Sequence, residues 1–125
     1  MVPTILYIED DRALQKVAQR QLEKRGCSVV CADDGEAGLE ASLGGVDAVV
    51  VDLGLPGMSG VRVIEALRAD ERTARIPIVV VSARCDVQDH ALALECGADA
   101  YHSKPVQWPA VEDELQRLMK ERAAP

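Results

Sequence analysis

The stretch "VVVDLGLPGMSG", residues 49 to 60, joins an unbroken apolar run to a single acid and a loop-forming segment. Continuous apolar runs of this kind are typical of strands buried on both faces, as in parallel sheets covered by helices. The glycine, proline and serine that follow predict a loop. Asp52 therefore stands at the end of a buried strand, where a carboxylate needs a partner or a role.

Short apolar runs and amphipathic segments alternate along the chain. The runs are "TILYI" (4–8), "CSVVCA" (27–32), "DAVVV" (47–51), "IPIVVV" (76–81) and "ADAYH" (98–102). The segments between them repeat apolar residues at helical spacing, although the pattern is short after "CADDG" and irregular between Val87 and Cys96. Five strands alternating with five helices predict an α/β domain with a doubly wound, five-stranded parallel sheet.

Composition limits the possible classes of function. A chain of 125 residues predicts one domain, which we place at residues 1–121, with 122–125 as a tail or the start of a linker. A net charge of −7 argues against direct binding of nucleic acid, because phosphates need a basic face. No apolar run approaches the roughly 20 residues that cross a bilayer. The sequence therefore predicts neither a nucleic-acid nor a membrane partner.

The four cysteines show no spacing typical of a zinc site. With no signal peptide in the sequence, we expect them to be reduced thiols in a cytoplasmic protein. Free cysteine usually packs as a small hydrophobic side chain, and most of the four are expected to do so.

Polar side chains stand where the predicted strands end. They are Glu9 and Asp10 after strand 1, Asp52 after strand 3, Ser82 at the end of strand 4, and Lys104 after strand 5. If strands 1 and 3 are neighbours, the three carboxylates converge in the crevice where open α/β sheets hold their ligands. Such a group needs a counter-charge, and Mg²⁺ prefers carboxylate oxygens. Beside a lysine and a hydroxyl, an aspartate can act as nucleophile in phosphoryl transfer.

Four segments, taken in order and spacing, resemble the receiver domain of two-component response regulators. They are "ILYIEDD", "VVVDLGLPGMSG", "IPIVVVSA" and "GADAYHSKP", and the resemblance spans about residues 4 to 120. It implies a flavodoxin-like fold, as in chemotaxis regulators, with strand order 2-1-3-4-5. It also implies a phosphoprotein of a phosphorelay, which holds an aspartyl phosphate received from a histidine kinase or a histidine phosphotransfer protein.

The resemblance implies a role for each acidic residue of the site. Asp52 matches the phosphoacceptor. Glu9 and Asp10 match the acidic pair that holds Mg²⁺ together with Asp52, Asp10 directly and Glu9 through water, and Gly54 matches the position whose backbone carbonyl is a further ligand. Mn²⁺ is expected to substitute. Asp11 lies where the family varies, and we interpret it as a surface or helix-start acid.

A second group of residues matches those that respond to phosphorylation. Lys104 matches the family's lysine, and Ser82 matches its hydroxyl switch residue. Tyr101 matches the aromatic switch that turns inward when Ser82 moves toward the phosphoryl group; ordinary strand packing is the alternative for this tyrosine. Pro105 matches a proline whose preceding peptide bond is typically cis.

Some positions depart from the family's commoner pattern. Val106 replaces a frequent phenylalanine, and His102 stands where an aliphatic residue is usual; we interpret His102 as a surface or hydrogen-bonded residue. Arg84 and Gly54 occupy positions that tune the lifetime of the phosphoryl group, and the Arg84 side chain is long enough to reach its oxygens. The charged residues that mark the DNA-binding, winged-helix branch are not recognisable, which argues against dimerisation through that face.

The leading hypothesis is a phosphoacceptor receiver that changes its partner-binding surface. The partner is a downstream protein or a missing C-terminal output domain. Such a chain is an enzyme only toward itself, catalysing its own phosphorylation and dephosphorylation. The alternative is an interaction module of the same fold that works without phosphorylation, although it would not need the site residues. A small-molecule phosphatase is disfavoured, because Gly54 stands where a second aspartate is expected.

Overall fold

Five strands alternate with five helices in the computed structural model, which describes residues 2–83 and 87–123. The strands are β1 (Thr4–Ile8), β2 (Ser28–Ala32), β3 (Ala48–Val51), β4 (Ile78–Ser82) and β5 (Ala100–Ser103). The helices are α1 (Arg12–Lys24), α2 (Gly35–Ser42), α3 (Gly60–Ala69), α4 (Val87–Glu95) and α5 (Trp108–Ala123). All strand pairs are parallel and the sheet order is β2-β1-β3-β4-β5, which confirms the predicted fold.

Two apolar layers cover the sheet, one on each face. One layer packs α2, α3 and α4 against one face, and the other packs α1 and α5 against the opposite face. Every residue of β3 and β4 is buried, as their continuous apolar sequences predict. The edge strand β2 is less buried: Ser28 and Val30 are exposed, although the sequence of β2 is as apolar as that of the central strands. A strand with a neighbour on one side only is covered less completely.

Several element boundaries differ from the sequence-based prediction. Strand β4 begins at Ile78, two residues late, because Pro77 has no N–H to donate to the ladder. Helix α5 continues to Ala123, beyond the predicted domain end at residue 121. Arg122 is therefore helical, and its guanidinium bonds Asp99 and the carbonyl of Arg75. Of the predicted tail, only residues 124 and 125 lie outside the described part.

Glycines end two helices and allow a third to approach the sheet. Gly26 and Gly97 have φ angles of 90° and 120°, the left-handed conformation predicted for residues that end a helix. Gly38 lies inside α2, where a Cβ would be 2.4 Å from Cδ1 of Ile8. Gly38 thus lets α2 lie directly on β1.

Arg68 of α3 ties together the end of the sheet opposite the predicted site. Its guanidinium donates to three backbone carbonyls, those of Ala74, Ile76 and Gly97, and to Oδ2 of Asp99. This network fixes the loops before β4 and β5. Among the described helices, none has the length and apolarity needed to cross a membrane.

Candidate functional site

Three acidic side chains converge at the carboxyl ends of β1 and β3. The register pairs Ile8 with Val51, so the residues that follow them lie side by side. Carboxylate oxygens of Glu9, Asp10 and Asp52 lie within 4.8 Å of one another. Glu9 and Asp52 are buried, whereas Asp10 is exposed. A compact set of oxygens with one solvent-facing member is suited to a hydrated divalent cation.

Lys104 connects the acidic group to the loop after β5. Its Nζ lies 2.5 Å from Oε1 of Glu9 and 2.9 Å from Oδ2 of Asp52, so that one ammonium group serves both buried carboxylates. The peptide bond between Lys104 and Pro105 is cis, as the resemblance implied. The predicted lysine therefore contacts the predicted acceptor.

The pKa values in this cluster reflect burial and mutual pairing. Burial raises the pKa of Glu9, and the hydrogen bonds from Lys104 and the N–H of Asp11 offset this only in part. For Lys104, burial lowers the pKa, but the hydrogen bonds to Glu9 and Asp52 outweigh it and the net shift is upward. Burial is also the main reason why the pKa of the Tyr7 phenol lies far above its usual range. Lys104 is therefore a cation, and Tyr7 a hydrogen-bond donor, at neutral pH.

The loop after β3 holds Asp52 through its backbone. The N–H of Asp52 donates to the carbonyl of Ile8 at 3.1 Å, and Oδ1 of Asp52 accepts from the N–H of Gly54 at 3.0 Å. Gly60, the first residue of α3, lies against the backbone of Asp52 so closely that a Cβ would be 2.3 Å from its carbonyl oxygen. The helix start and the loop together fix the direction of the carboxylate.

The two predicted switch residues lie on the adjoining strands. Ser82 is buried at the end of β4, beside β3, the strand that Asp52 directly follows. Its carbonyl accepts from the N–H of Lys104, which links the ends of β4 and β5. Tyr101 of β5 is half-buried, packs against the core, and stacks on His90 of α4 with ring centroids 4.6 Å apart. The aromatic residue is thus coupled to α4 by a contact that the sequence did not predict.

Two polar side chains near the site were also not predicted from the sequence. Tyr7 donates its hydroxyl to Oε1 of Glu9 at 3.2 Å. Gln15 of α1 donates to the carbonyl of Glu9 and to Oδ1 of Asp33. It thereby joins the loop after β1 to the loop after β2. The signal for Tyr7 was available, because residues two apart on a strand share a face and Tyr7 precedes Glu9 by two. Gln15 gives no comparable signal.

Several secondary expectations can now be compared with the structure. Asp11 caps α1, accepting from the N–H groups of Ala13 and Leu14. His102 is hydrogen-bonded, with Nε2 2.5 Å from Oε1 of Glu114. Arg84 lies outside the described residues.

The described cysteines are free thiols. Cys27 is buried, as expected, whereas Cys31 and Cys96 are only half-buried. Cys85 lies outside the described residues.

Comparisons with known proteins agree on one family. The family model of the response regulator receiver domain matches residues 5–116. The transcriptional regulatory protein CseB of Streptomyces coelicolor is 39% identical over 93% of the chain and 49% of its own length. CpxR of Escherichia coli, also a transcriptional regulatory protein, is 36% identical over 81% of the chain and 42% of its own length. The chain thus spans about half the length of these curated relatives.

Solved structures show the same fold. The receiver domain of a sensor histidine kinase from Pseudomonas aeruginosa is 27% identical, has a TM-score of 0.87, and aligns over 96% of this chain and 99% of its own. That crystal structure contains a magnesium ion coordinated in the active-site cleft. A CheY-like receiver domain from Methanospirillum hungatei has a TM-score of 0.90 at 24% identity, covering 98% of this chain and 97% of its own.

Proposed function

The chain belongs to the response regulator receiver domain family, and from this premise we propose that Asp52 accepts a phosphoryl group. The donor is a histidine kinase or a histidine phosphotransfer protein, the reaction uses Mg²⁺, and the product binds its partner through an altered surface. The observation that carries this proposal is the contact of Lys104 with both buried carboxylates, Asp52 and Glu9.

The proposed step is a substitution at phosphorus. A carboxylate oxygen of Asp52 attacks the phosphorus of a phosphohistidine; an O–P bond forms as the N–P bond breaks, and the electron pair stays on the imidazole nitrogen. The ammonium of Lys104 is close enough to follow the charge as it moves onto the phosphoryl oxygens. The N–H of Gly54 holds the other carboxylate oxygen in place during the attack. Later attack of water on the same phosphorus breaks the bond to the Asp52 oxygen, releases inorganic phosphate and restores the carboxylate, so the chain catalyses changes only at its own Asp52.

The donor set fits a hard cation. Asp10 and Asp52 would hold Mg²⁺ through carboxylate oxygens, Glu9 through a water molecule, and Gly54 through its backbone carbonyl. When bound, the ion supplies neutralisation of the negative charge on the phosphoryl oxygens. Mn²⁺ has the same preference for oxygen ligands and is proposed to substitute. The magnesium ion in the Pseudomonas aeruginosa receiver domain supports the proposal.

Signal output is proposed to follow from a change at β4 and β5. The phosphoryl group on Asp52 would draw the Ser82 hydroxyl toward its oxygens, and Tyr101 would then change its packing. Because Tyr101 stacks on His90, such a change alters the surface of α4. The partner is a downstream protein or an output domain C-terminal to this one, as expected for relatives about twice as long. We propose that phosphorylation and partner binding take place in the cytoplasm, where free thiols stay reduced.

The test is intact mass spectrometry after incubation with acetyl phosphate. Wild type should gain the mass of one phosphoryl group when Mg²⁺ is present and none when the ion is chelated. Asp52→Asn should gain none in either condition while unfolding at a similar urea concentration. If folded wild type gains no mass and beryllofluoride with Mg²⁺ also leaves its spectrum unchanged, the phosphoacceptor function is wrong. An interaction module that works without phosphorylation would then replace it.

A further inference from the structure

A buried phenol lies directly behind the acidic site. Tyr7 of β1 and Glu9 each have an exposed fraction of 1%, and the Tyr7 hydroxyl is 3.2 Å from Oε1 of Glu9. The hydroxyl of a strand tyrosine needs no protein partner when it reaches solvent, but the hydroxyl of Tyr7 is buried and does not reach solvent. Apart from Thr4 at its other end, the remaining residues of β1 are aliphatic, so the Tyr7 hydroxyl is the one polar side-chain group that β1 places behind the site.

The direction of this hydroxyl is set by packing. The Tyr7 ring lies in the layer between the sheet and helices α1 and α5, where it meets Trp108 edge-on with centroids 5.5 Å apart and planes at 81°. Trp108, the first residue of α5, is itself buried. A ring held between a strand and a buried indole has little freedom to turn its hydroxyl elsewhere.

The oxygens of Glu9 are shared unequally among protein donors. Oε2 accepts from the N–H of Asp11 at 3.2 Å. Oε1 accepts from Tyr7 and from Nζ of Lys104, which it shares with Asp52. Nζ of Lys104 contacts both carboxylates from one position, so we expect a move toward a phosphoryl group on Asp52 to lengthen its contact with Glu9. Among the residues that the structure describes, Oε1 then retains Tyr7 as its side-chain donor.

We propose that Tyr7 is a positioning residue for Glu9. Its hydroxyl holds Oε1 of Glu9 in place when Lys104 turns to the phosphoryl group. This inference rests on the proposed function and extends it to a residue outside the site. Tyr7 touches neither the metal nor the reacting atoms; it acts through the Glu9 carboxylate. Groups behind a metal ligand commonly determine its orientation, and their loss weakens metal binding.

The experiment compares Tyr7→Phe with Thr73→Val, two substitutions that each remove one buried hydroxyl and keep the shape of the side chain. Thr73 donates to the carbonyl of Leu67 at 2.6 Å, on the segment between α3 and β4. Mg²⁺ dissociation constants are measured by calorimetry with and without beryllofluoride, which occupies the place of the phosphoryl group. Tyr7→Phe should weaken Mg²⁺ binding roughly tenfold with beryllofluoride and clearly less without it. Thr73→Val should leave both constants within about twofold of wild type.

A second measurement needs no ligand. The cycle of wild type, Tyr7→Phe, Lys104→Met and the double variant is followed by urea unfolding. Removal of the Tyr7 hydroxyl should raise the unfolding constant at least about threefold more in the Lys104→Met background than in wild type, because Oε1 of Glu9 then loses both side-chain donors that it has among the described residues. Additive effects would overturn the inference, since Tyr7 would then only satisfy its own hydroxyl.

Failure of the inference and failure of the proposed function give different results. If wild type responds to beryllofluoride but Tyr7→Phe binds Mg²⁺ as well as Thr73→Val does, the phosphoacceptor function stands and the role of Tyr7 is wrong. If wild type itself does not respond, the proposed function fails, and the cycle alone decides whether Tyr7 supports Glu9.

Discussion

Replacement of Gly60 by alanine tests how the start of α3 supports the acceptor. Helix propensity alone predicts that Gly60→Ala stabilises the protein by up to about 1 kcal/mol. The structure predicts the opposite. A Cβ at this position would lie 2.3 Å from the carbonyl oxygen of Asp52 and 2.6 Å from Cα of Leu53, whereas real Cβ contacts are not shorter than 3.0 Å.

The size of the effect follows from what has to move. Both crowded atoms belong to backbone, so α3 and the loop must separate by about 0.7 Å, the difference between 2.3 Å and the 3.0 Å limit. The inner face of α3 is fully packed, with Val63 and Ile64 at 0% exposure. Overpacking of this kind costs roughly 1–3 kcal/mol. The gain in helix propensity offsets part of this cost, so we expect Gly60→Ala to lower the free energy of unfolding by about 1–2 kcal/mol.

The assay combines urea unfolding with the rate of phosphorylation by acetyl phosphate. Because the displaced backbone belongs to Asp52, the rate should fall by roughly 10- to 100-fold at a urea concentration where both proteins are folded. Gly54→Ala is the control in the same loop, since a Cβ there would lie 3.7 Å from Oδ1 of Asp52, an ordinary contact. The free energy of unfolding of Gly54→Ala should stay within about 0.5 kcal/mol of wild type. A Gly60→Ala protein as stable and as reactive as wild type would refute the reasoning.

Three further predictions concern single contacts. Asp11→Ala removes the cap of α1 and should cost about 1 kcal/mol of unfolding free energy while acetyl phosphate still labels the protein; loss of labelling would mean that Asp11 belongs to the site. Arg68→Met removes the donor to three half-buried carbonyls and should cost about 2–3 kcal/mol in urea unfolding; a loss below 0.5 kcal/mol, roughly the value for an ordinary surface change, would contradict the network. Cys27 should be alkylated more slowly at neutral pH than Cys96, because Cys27 is buried whereas Cys96 is half-buried, and burial raises the pKa of both thiols; peptide mapping with equal rates would contradict this.

The fold could be predicted because the apolar pattern has few physical solutions. Buried strands separated by helices pack as a parallel sheet, and the boundaries moved by only one or two residues where a proline or an edge intervened. The exposure of Val30 could not be predicted, because its sequence does not distinguish an edge strand from a central one. The position of β2 at the edge follows from the sheet order, which the resemblance supplied.

Part of the candidate site could be predicted from the order in which polar residues follow the predicted strands. Strand ends identify which residues share the crevice, and Glu9, Asp52 and Lys104 do meet there. Contacts that depend on side-chain reach were missed. The hydroxyl of Tyr7 reaches Glu9 from within the core, and Gly60 supports Asp52 because it lacks a side chain. The spacing of Tyr7 and Glu9 puts them on one face of β1 but does not show that the hydroxyl reaches the carboxylate, and the role of Gly60 requires the distance between α3 and the loop after β3.

The central claim is that Asp52 itself carries the phosphoryl group, and chemical trapping at that residue tests it most directly. Protein treated with acetyl phosphate and Mg²⁺ is reduced with borohydride, which converts an aspartyl phosphate to homoserine, and the peptides are then mapped by mass spectrometry. The account predicts homoserine at position 52, absent when Mg²⁺ is chelated. Homoserine at Asp10 or Asp11, or a phosphoryl group that resists borohydride at any position while residue 52 stays unchanged, would contradict it.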